Sequence, residues 1–498
     1  MSSVVGLVVA VPLVASMLAL AIRRHGMFRD VLVTSSLAST TGLAIALLLS
    51  VRTDGTVVVR VGDWSPELGI VLVADRFAAL VLAVAMVTIL LVELFAIGQR
   101  RTASGADPTV VGPMLLVLTG GVALSVLTGD LFTLFVAFEL MLVASYVLLT
   151  HQGRRGQVGS GMTYVVINLL ASTFFLFGVA FVYAATGTVN FALLAERIPE
   201  LSSGVRWGIG LWFLVVFGTK AAIFPLFSWL PDSYPTAPTT ITAVFAGLLT
   251  KIGVYVMIRF HVLTGMDDLG PLMLVIAGFT MVVGVAGALA QDDVKRILSF
   301  HIISQIGYML MGLGLFSVAG VAGAIFFLVH QIPVKTVLFL VGGLIETDRG
   351  TSALDRVNGL ITRRPIVAAA FGLGALSLAG LPPFSGFVAK FALIDAGIEI
   401  DSVAIVVVAL VGSVFTLLSM TKIWLGVFWG KPDDDPGLDV TACPPASWST
   451  MMGAMLAMIG VTVAVALLAG PIHDISVDAA RELLGGSAYT SLVLEAGR

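Results

Sequence analysis

Five of the seven lysines in this sequence (Lys220, Lys251, Lys335, Lys390 and Lys422) lie inside long apolar runs, whereas its arginines stand in loops or at the ends of those runs. The sorting is informative because a guanidinium keeps its proton at any relevant pH, while a buried ammonium can release one. Glu139 and His330 also fall inside apolar runs. A carboxylate about 4 Å from an ammonium contributes about 4 kcal/mol at an effective dielectric of about 20. Opening or closing such a contact decides whether the lysine keeps its proton. A Glu139–Lys220 pair would therefore act as a proton gate, with Lys251 receiving or repelling the moved charge. The alternative is a static salt bridge locking two helices, which would account for two of these residues at most. Lys422, near the end of its run, is expected to snorkel to the interface.

The elements that must hold these groups follow from composition. Of the 498 residues, 58% are hydrophobic and 11% charged. A soluble domain carries about 25% charged residues, so this chain is read as facing lipid. The net charge of −3 gives no basic excess, and no nucleic-acid partner is expected. The single cysteine, Cys443, excludes internal disulfides and multi-cysteine metal sites, so no metal is expected. The first apolar run has Arg23 and Arg24 behind it and no basic residue ahead of it, as in a retained anchor rather than a cleaved signal.

A membrane-crossing helix needs about 20 apolar residues. Fourteen spans are expected, near 3–22, 31–51, 76–97, 110–129, 131–150, 161–185, 206–230, 238–262, 271–290, 296–316, 318–345, 365–394, 403–428 and 450–470. The stretch 190–203 reads as an interfacial helix with Phe191, Leu193, Leu194 and Ile198 on one side. The chain is taken as a single polytopic, all-α membrane domain. Placing both termini outside puts fourteen basic residues in cytoplasmic loops against eight on the other side.

Glu139, Lys220, Lys251, His330 and Lys390 come out near the middle of their spans or well within them. Each ionisable group at the bilayer centre costs at least about 2.5–3.5 kcal/mol, so an ion pathway is the default reading. Proline interrupts the seventh span at Pro225 and the twelfth at Pro382 and Pro383. The freed carbonyls must find other donors. Broken helices in corresponding positions point to a transport site, with a kink made only for packing as the alternative. The two breaks share a Pro-x-Phe-Ser echo, at Pro225/Phe227/Ser228 and Pro382/Phe384/Ser385. His301 and Ser304, with Ser299 and Gln305, either line a hydrated cytoplasmic mouth or hydrogen-bond between helices. His330 and Lys335 flank Pro333 and would need its distortion to act together. Glu93 is expected at the interface.

Three stretches resemble the antiporter-like membrane subunits of respiratory complex I, membrane-bound hydrogenases and the multisubunit Mrp cation/proton antiporter. They are Asp130-Leu-Phe-Thr-Leu-Phe-Val-Ala-Phe-Glu139, Trp229-Leu-Pro-Asp232 leading to Lys251, and Leu381-Pro-Pro-Phe-Ser-Gly386-Phe. The resemblance implies a hydrophilic axis of Glu139, Lys220, Lys251, His330 and Lys390. It also implies two inverted five-helix repeats, about 110–262 and 271–428, with flanking helices in 3–97 and 450–470. Gly69-Ile-Val-Leu-Val-Ala-Asp75-Arg-Phe-Ala-Ala-Leu and Lys295-Arg-Ile-Leu-Ser-Phe-His301 look most like the D subunit of Mrp. The short stretch after the last span, with no lateral helix, argues against the A subunit of Mrp and the distal subunit of complex I.

The resemblance thus implies a proton-translocating subunit of a monovalent cation/proton antiporter, most similar to sodium-exchanging ones, in a bacterial plasma membrane. Its partners would be the other subunits, protons, the cation and lipid; no cofactor is expected, and no independent enzyme activity. The alternatives are a proton-pumping arm subunit of an NADH:quinone oxidoreductase or hydrogenase, or a non-conducting scaffold in such an assembly.

Overall fold

The computed structural model describes residues 1–22, 26–67, 69–100, 108–153, 155–430 and 445–495. Cys443 lies outside the described residues, as do Arg23, Arg24, Arg101, Arg154, Lys431 and Arg498. The membrane helices are α1 Ser2–Ala21, α2 Met27–Asp54, α3 Arg76–Arg100, α4 Pro108–Leu127, α5 Leu131–Thr150, α6 Arg155–Thr186, α7 Ser203–Ala221, α8 Thr239–Leu263, α9 Gly270–Leu289, α10 Val294–Gly314, α11 Val318–Arg349, α12 Pro365–Ala379, α13 Val403–Val427 and α14 Pro445–Leu467. Among the described residues, twelve helices are continuous and apolar enough to cross a membrane. The other two, α7 and α12, are cut short and resume as Trp229–Ser233 and Ser385–Glu399.

Burial sorts these helices into a centre and a rim. The apolar stretch of α11 is 100% buried, and those of α8 and α10 are 94% buried. At the rim, α1 and α14 are 33% buried and α6, α9 and α13 are 39% buried. A helix that is apolar all round and still wholly enclosed is a core element even in a bilayer protein. All the deeply placed lysines sit on the central helices or at the two breaks, away from the lipid-facing rim.

Each break is closed by backbone geometry that the interruption requires. The α7 segment ends on Ala222, in the left-handed region at φ 62°, and α12 ends on Gly380, at φ 88°. Released groups are picked up locally. Trp229 Nε1 donates to the Thr219 carbonyl at 3.0 Å, and the Phe224 amide donates to Thr280 Oγ1 at 3.1 Å. Phe224–Pro225 and Pro382–Pro383 are both cis. Helix α8 carries a single π-helical turn, Phe245–Leu249.

One end of the bundle is more elaborate than the sequence suggested. A two-stranded antiparallel hairpin, β1 Val57–Arg60 and β2 Val71–Ala74, joins α2 to α3. Asp130 caps α5 by accepting from the Thr133 amide at 2.6 Å. The helix expected within 190–203 is present as Phe191–Arg197, capped by Asn190, with Phe191, Leu193, Leu194 and Ile198 buried. Two further helices, α15 Ala469–Leu484 and α16 Ser487–Glu495, follow α14 and return over this end. Glu482 pairs with Arg76, and Arg60 donates to the carbonyls of Val493 and Leu494 at 3.2 and 3.0 Å.

Candidate functional site

Lys220 stands in the last turn of α7, just ahead of the break, and is 6% exposed. Its ammonium donates to the Asn168 carbonyl at 3.1 Å and to Ser172 Oγ at 3.0 Å, both on α6, and lies 5.9 Å from the Phe138 ring centroid. Gly253 on α8 makes this approach tight. A Cβ there would fall 2.8 Å from the Ala221 amide nitrogen, so only glycine lets α8 pack against the end of α7.

The direct Glu139–Lys220 contact suggested by the sequence is not made. Among the described residues no carboxylate pairs with Lys220, and Glu139 Oε1 has no hydrogen-bond partner. Glu139 is half-buried on α5, in a stripe with the exposed Phe132, Val136 and Val143. That spacing follows one face of a helix, but Glu139 Oε1 itself is buried, and its charge reaches Lys220 without an ion pair. Helix rotation is set by packing against α4 and α6, which periodicity in so uniformly apolar a segment does not reveal.

Lys251 is 1% exposed on α8 and donates to the carbonyl of Ala246. The π-helical turn supplies that acceptor, because widening the helix there disturbs the regular hydrogen-bond ladder. Lys390, on the second piece of the α12 span, donates to the Ala379 carbonyl at 3.0 Å, at the end of the first piece. It also lies 4.7 Å from the Tyr308 ring centroid, a cation–π distance. Each of these lysines is thus satisfied by a backbone carbonyl near a helix irregularity. Pro225, Pro382 and Pro383 all lie within the two interruptions.

Between Lys251 and Lys390 lies Lys335, wholly buried on α11, two residues past Pro333 and close enough for both charges to act on it. Its ammonium has no hydrogen-bond partner among the described residues. His330, one turn earlier on α11, meets Ser385 Oγ at 2.8 Å through Nδ1. Gln331 and Gln305 bond to each other at 3.3 Å between α11 and α10. Lys251, Lys335, His330 and Lys390 thus lie close enough to act on one another, and Lys220 joins this buried polar row through the backbone contact of α7 with Gly253 on α8.

His301 and Ser304 take their place in the interior and not at an open mouth. Both are 0% exposed, and His301 Nε2 bonds to Ser419 Oγ on α13 at 2.9 Å. Of the two sequence readings for His301, the interhelical hydrogen bond is the one observed. Lys422 behaves as expected, reaching Asp292 at 2.8 Å and the carbonyls of Leu289 and Gln291 with a third of its side chain exposed.

Two buried ion pairs were missed by sequence reasoning. Arg259 is 2% exposed inside α8 and makes a bidentate pair with Asp75 at 2.8 Å, while its Nε donates to Tyr255 at 2.9 Å. Not every arginine is therefore at a helix end. Glu93 is wholly buried, paired with Arg100 at the end of α3 at 2.5 Å. The available signal for the first was the one-face series Lys251, Tyr255 and Arg259, but its acid partner is 184 positions away. No group of three or more potential metal-ligating side chains occurs among the described residues.

Against this geometry, the NADH:quinone oxidoreductase/Mrp antiporter transmembrane family matches residues 128–416, from the turn before α5 into α13. The chain belongs to this family. Within the NADH:quinone oxidoreductase/Mrp antiporter family, it is 38% identical to the D subunit of the Na(+)/H(+) antiporter of Alkalihalophilus pseudofirmus, over 99% of this chain and 100% of the relative. A chain in the structure of the Mrp complex from a Dietzia species superposes with a TM-score of 0.90 at 34% identity, covering 99% of this chain and 100% of that one. A chain of the membrane-bound sulfane sulfur reductase, an archaeal respiratory membrane complex, gives the same TM-score of 0.90 and the same coverages, 99% and 100%, at 26% identity. The family match spans every residue of the buried polar row.

Proposed function

We propose that the chain is the D-type subunit of a multisubunit Na⁺/H⁺ antiporter in a bacterial plasma membrane, and that its buried polar row carries protons. The observation that supports this most is the row itself. Lys220, Lys251, Lys335 and Lys390 lie buried with no carboxylate partner among the described residues. Such ammonium groups are costly as permanent charges in a bilayer and become inexpensive when they can shed the proton. The graded identities, 38% and 34% to antiporter proteins against 26% to the respiratory complex, favour an antiporter over a respiratory membrane arm.

In this reading Lys220, Lys251, Lys335 and Lys390 exchange protons through intervening hydrated or hydroxyl groups, with His330 coupling Lys335 to Lys390. The proline interruptions at Pro225, Pro382 and Pro383 expose the carbonyls that receive a charged lysine. Glu139, whose buried carboxylate oxygen acts on Lys220 without an ion pair, sets the charge that Lys220 meets from the α5 side. Residues about 110–262 and 271–428 form two repeats of inverted orientation, each with one broken helix. Both termini face outward, so the α5–α6 turn is cytoplasmic. Other subunits of the complex are its partners, and it works as a transporter component, not as an enzyme on its own. Everted vesicles carrying the complete assembly test this: Lys220→Ala should abolish sodium-driven proton movement with assembly intact, and wild-type exchange in that variant would refute the reading.

A further inference from the structure

The polar groups around Lys220 do not end at the buried row. A small cavity beside its ammonium is lined by Ser145 on α5, Tyr164 and Asn168 on α6, and Trp229 after the break. It offers about 30 Å³ to the centre of a water-sized sphere. About 10–15 Å³ suffices for one water, which also needs two to four polar partners. Lys220, Ser145 and Tyr164 provide them.

Ser145 and Tyr164 form a hydroxyl pair, their oxygens 2.8 Å apart, and Ser145 Oγ also donates to the Leu142 carbonyl at 2.7 Å. While Ser145 donates to Leu142, it can only accept from Tyr164. If Ser145 turns away from that carbonyl, it donates to Tyr164, whose own proton is then free to point into the cavity. The pair has two hydrogen-bonding orders of opposite direction.

The groups beyond this pair continue towards the α5–α6 turn. Tyr234 is wholly buried, and its hydroxyl has no partner among the described residues. Its ring sits 5.8 Å from Trp229, which is itself 5.4 Å from the ring of Tyr164. Tyr146, also with an unpartnered hydroxyl, meets the Tyr164 ring edge-on at 5.7 Å. Gln157, 3% exposed near the start of α6, donates to Gln152 in the turn and to the Thr236 carbonyl, each at 3.1 Å. Hydroxyl and amide groups therefore line the stretch between that turn and Lys220, within otherwise apolar packing.

We infer that Tyr164 and Ser145 form the relay that loads Lys220 with protons from the α5–α6 end of the bundle. A proton arriving at the Tyr164 oxygen displaces that hydroxyl's own proton to Ser145 or to water in the cavity. From there a proton passes to the neutral amine of Lys220. Each hydroxyl ends neutral, Lys220 ends as ammonium, and nothing is oxidised or reduced. The inference rests on the proton-carrying reading of the buried row.

The test uses everted vesicles containing the whole complex, with sodium-driven proton flux measured in H₂O and D₂O. Tyr164→Phe keeps the ring against Trp229 and Phe245, and Ser145→Ala removes the second hydroxyl. The expected result is a fall in flux of about tenfold or more in each, as for loss of a positioned proton donor, with a larger D₂O effect and unchanged assembly. Ser145→Thr should restore the rate. A merely structural role would lower the amount of complex without enlarging the isotope effect. If Tyr164→Phe impairs assembly, the Ser145→Ala and Ser145→Thr comparison decides. Wild-type flux in Tyr164→Phe and Ser145→Ala alongside a dead Lys220→Ala would overturn the relay alone. An active Lys220→Ala would overturn the relay together with the reading beneath it.

Discussion

The ammonium of Lys390 is 3.0 Å from the carbonyl oxygen of Ala379, eleven residues back across the interruption of the α12 span. A helix that ended normally would keep such carbonyls near its terminus for solvent or a cap. Here the bundle interior encloses that terminus, and the lysine satisfies it. Lys251 and the Ala246 carbonyl repeat the arrangement at the π-helical turn of α8. A carbonyl can hold an ammonium without fixing its charge as a carboxylate would, which leaves the lysine free to release its proton.

Lys390→Arg separates charge from proton exchange. Arginine can still donate to the Ala379 carbonyl, but it does not release a proton in the working range. Transport should fall by roughly a hundredfold, the usual loss of a positioned acid or base, while the complex assembles normally. Vesicle flux measurements showing near-normal rates would mean that Lys390 acts only through its charge.

Gly386 is where the two pieces of the α12 span and α11 converge. A Cβ at this position would lie 1.7 Å from the Ser377 carbonyl oxygen and 3.0 Å from His330 Nε2. Gly386→Ala should therefore destabilise the protein by about 1–3 kcal/mol through overpacking. A thermal scan of the purified complex should show a lower midpoint, and an unchanged midpoint would contradict the close packing.

Asp75 and Arg259 are 4% and 3% exposed in their side chains, so removing either leaves an uncompensated buried charge. Asp75→Asn or Arg259→Gln should each cost about 3–5 kcal/mol. An apolar double replacement, Asp75→Leu with Arg259→Met, should recover much of the loss. Strictly additive losses in a double-mutant cycle would show that the pair is not coupled.

Asp130 lies between α4 and α5, outside both spans. Burial raises its carboxyl above the ordinary 3.8, against the opposing hydrogen bond from Thr133. The folded protein then binds the proton more tightly than the unfolded chain does. The contribution of Asp130 to stability is accordingly highest at low pH, falls as pH rises from about the ordinary value through the raised folded value, and is flat above it. Asp130→Asn retains the cap and should remove this acid-range slope without loss at neutral pH, whereas Asp130→Ala should cost about 1 kcal/mol. Stability measured against pH in detergent distinguishes the three proteins.

The spans and both helix interruptions were legible because hydropathy and proline act locally, within a window of one helix. The burial of Lys220, Lys251, Lys335 and Lys390 followed from the same windows. The hairpin β1–β2 was missed since its strands are short, and α15 since its amphipathic pattern follows a segment that already reads as the last span. Arg259 falls near the end of the expected span 238–262, but its burial was not legible because its partner Asp75 lies 184 positions away.

By itself, then, the sequence determined that this is a multi-pass helical membrane protein, where two of its helices break, and which ionisable groups fall within its apolar runs. Tertiary structure alone decided what each group touches. Lys220 meets Asn168 across 52 positions and His301 meets Ser419 across 118, while Glu139 keeps a buried carboxylate oxygen that acts on Lys220 by charge without forming an ion pair. Hydropathy is a sum over neighbours in sequence, but the rotation of each helix about its axis is set by the packing of distant helices against it, and that rotation selects the partner.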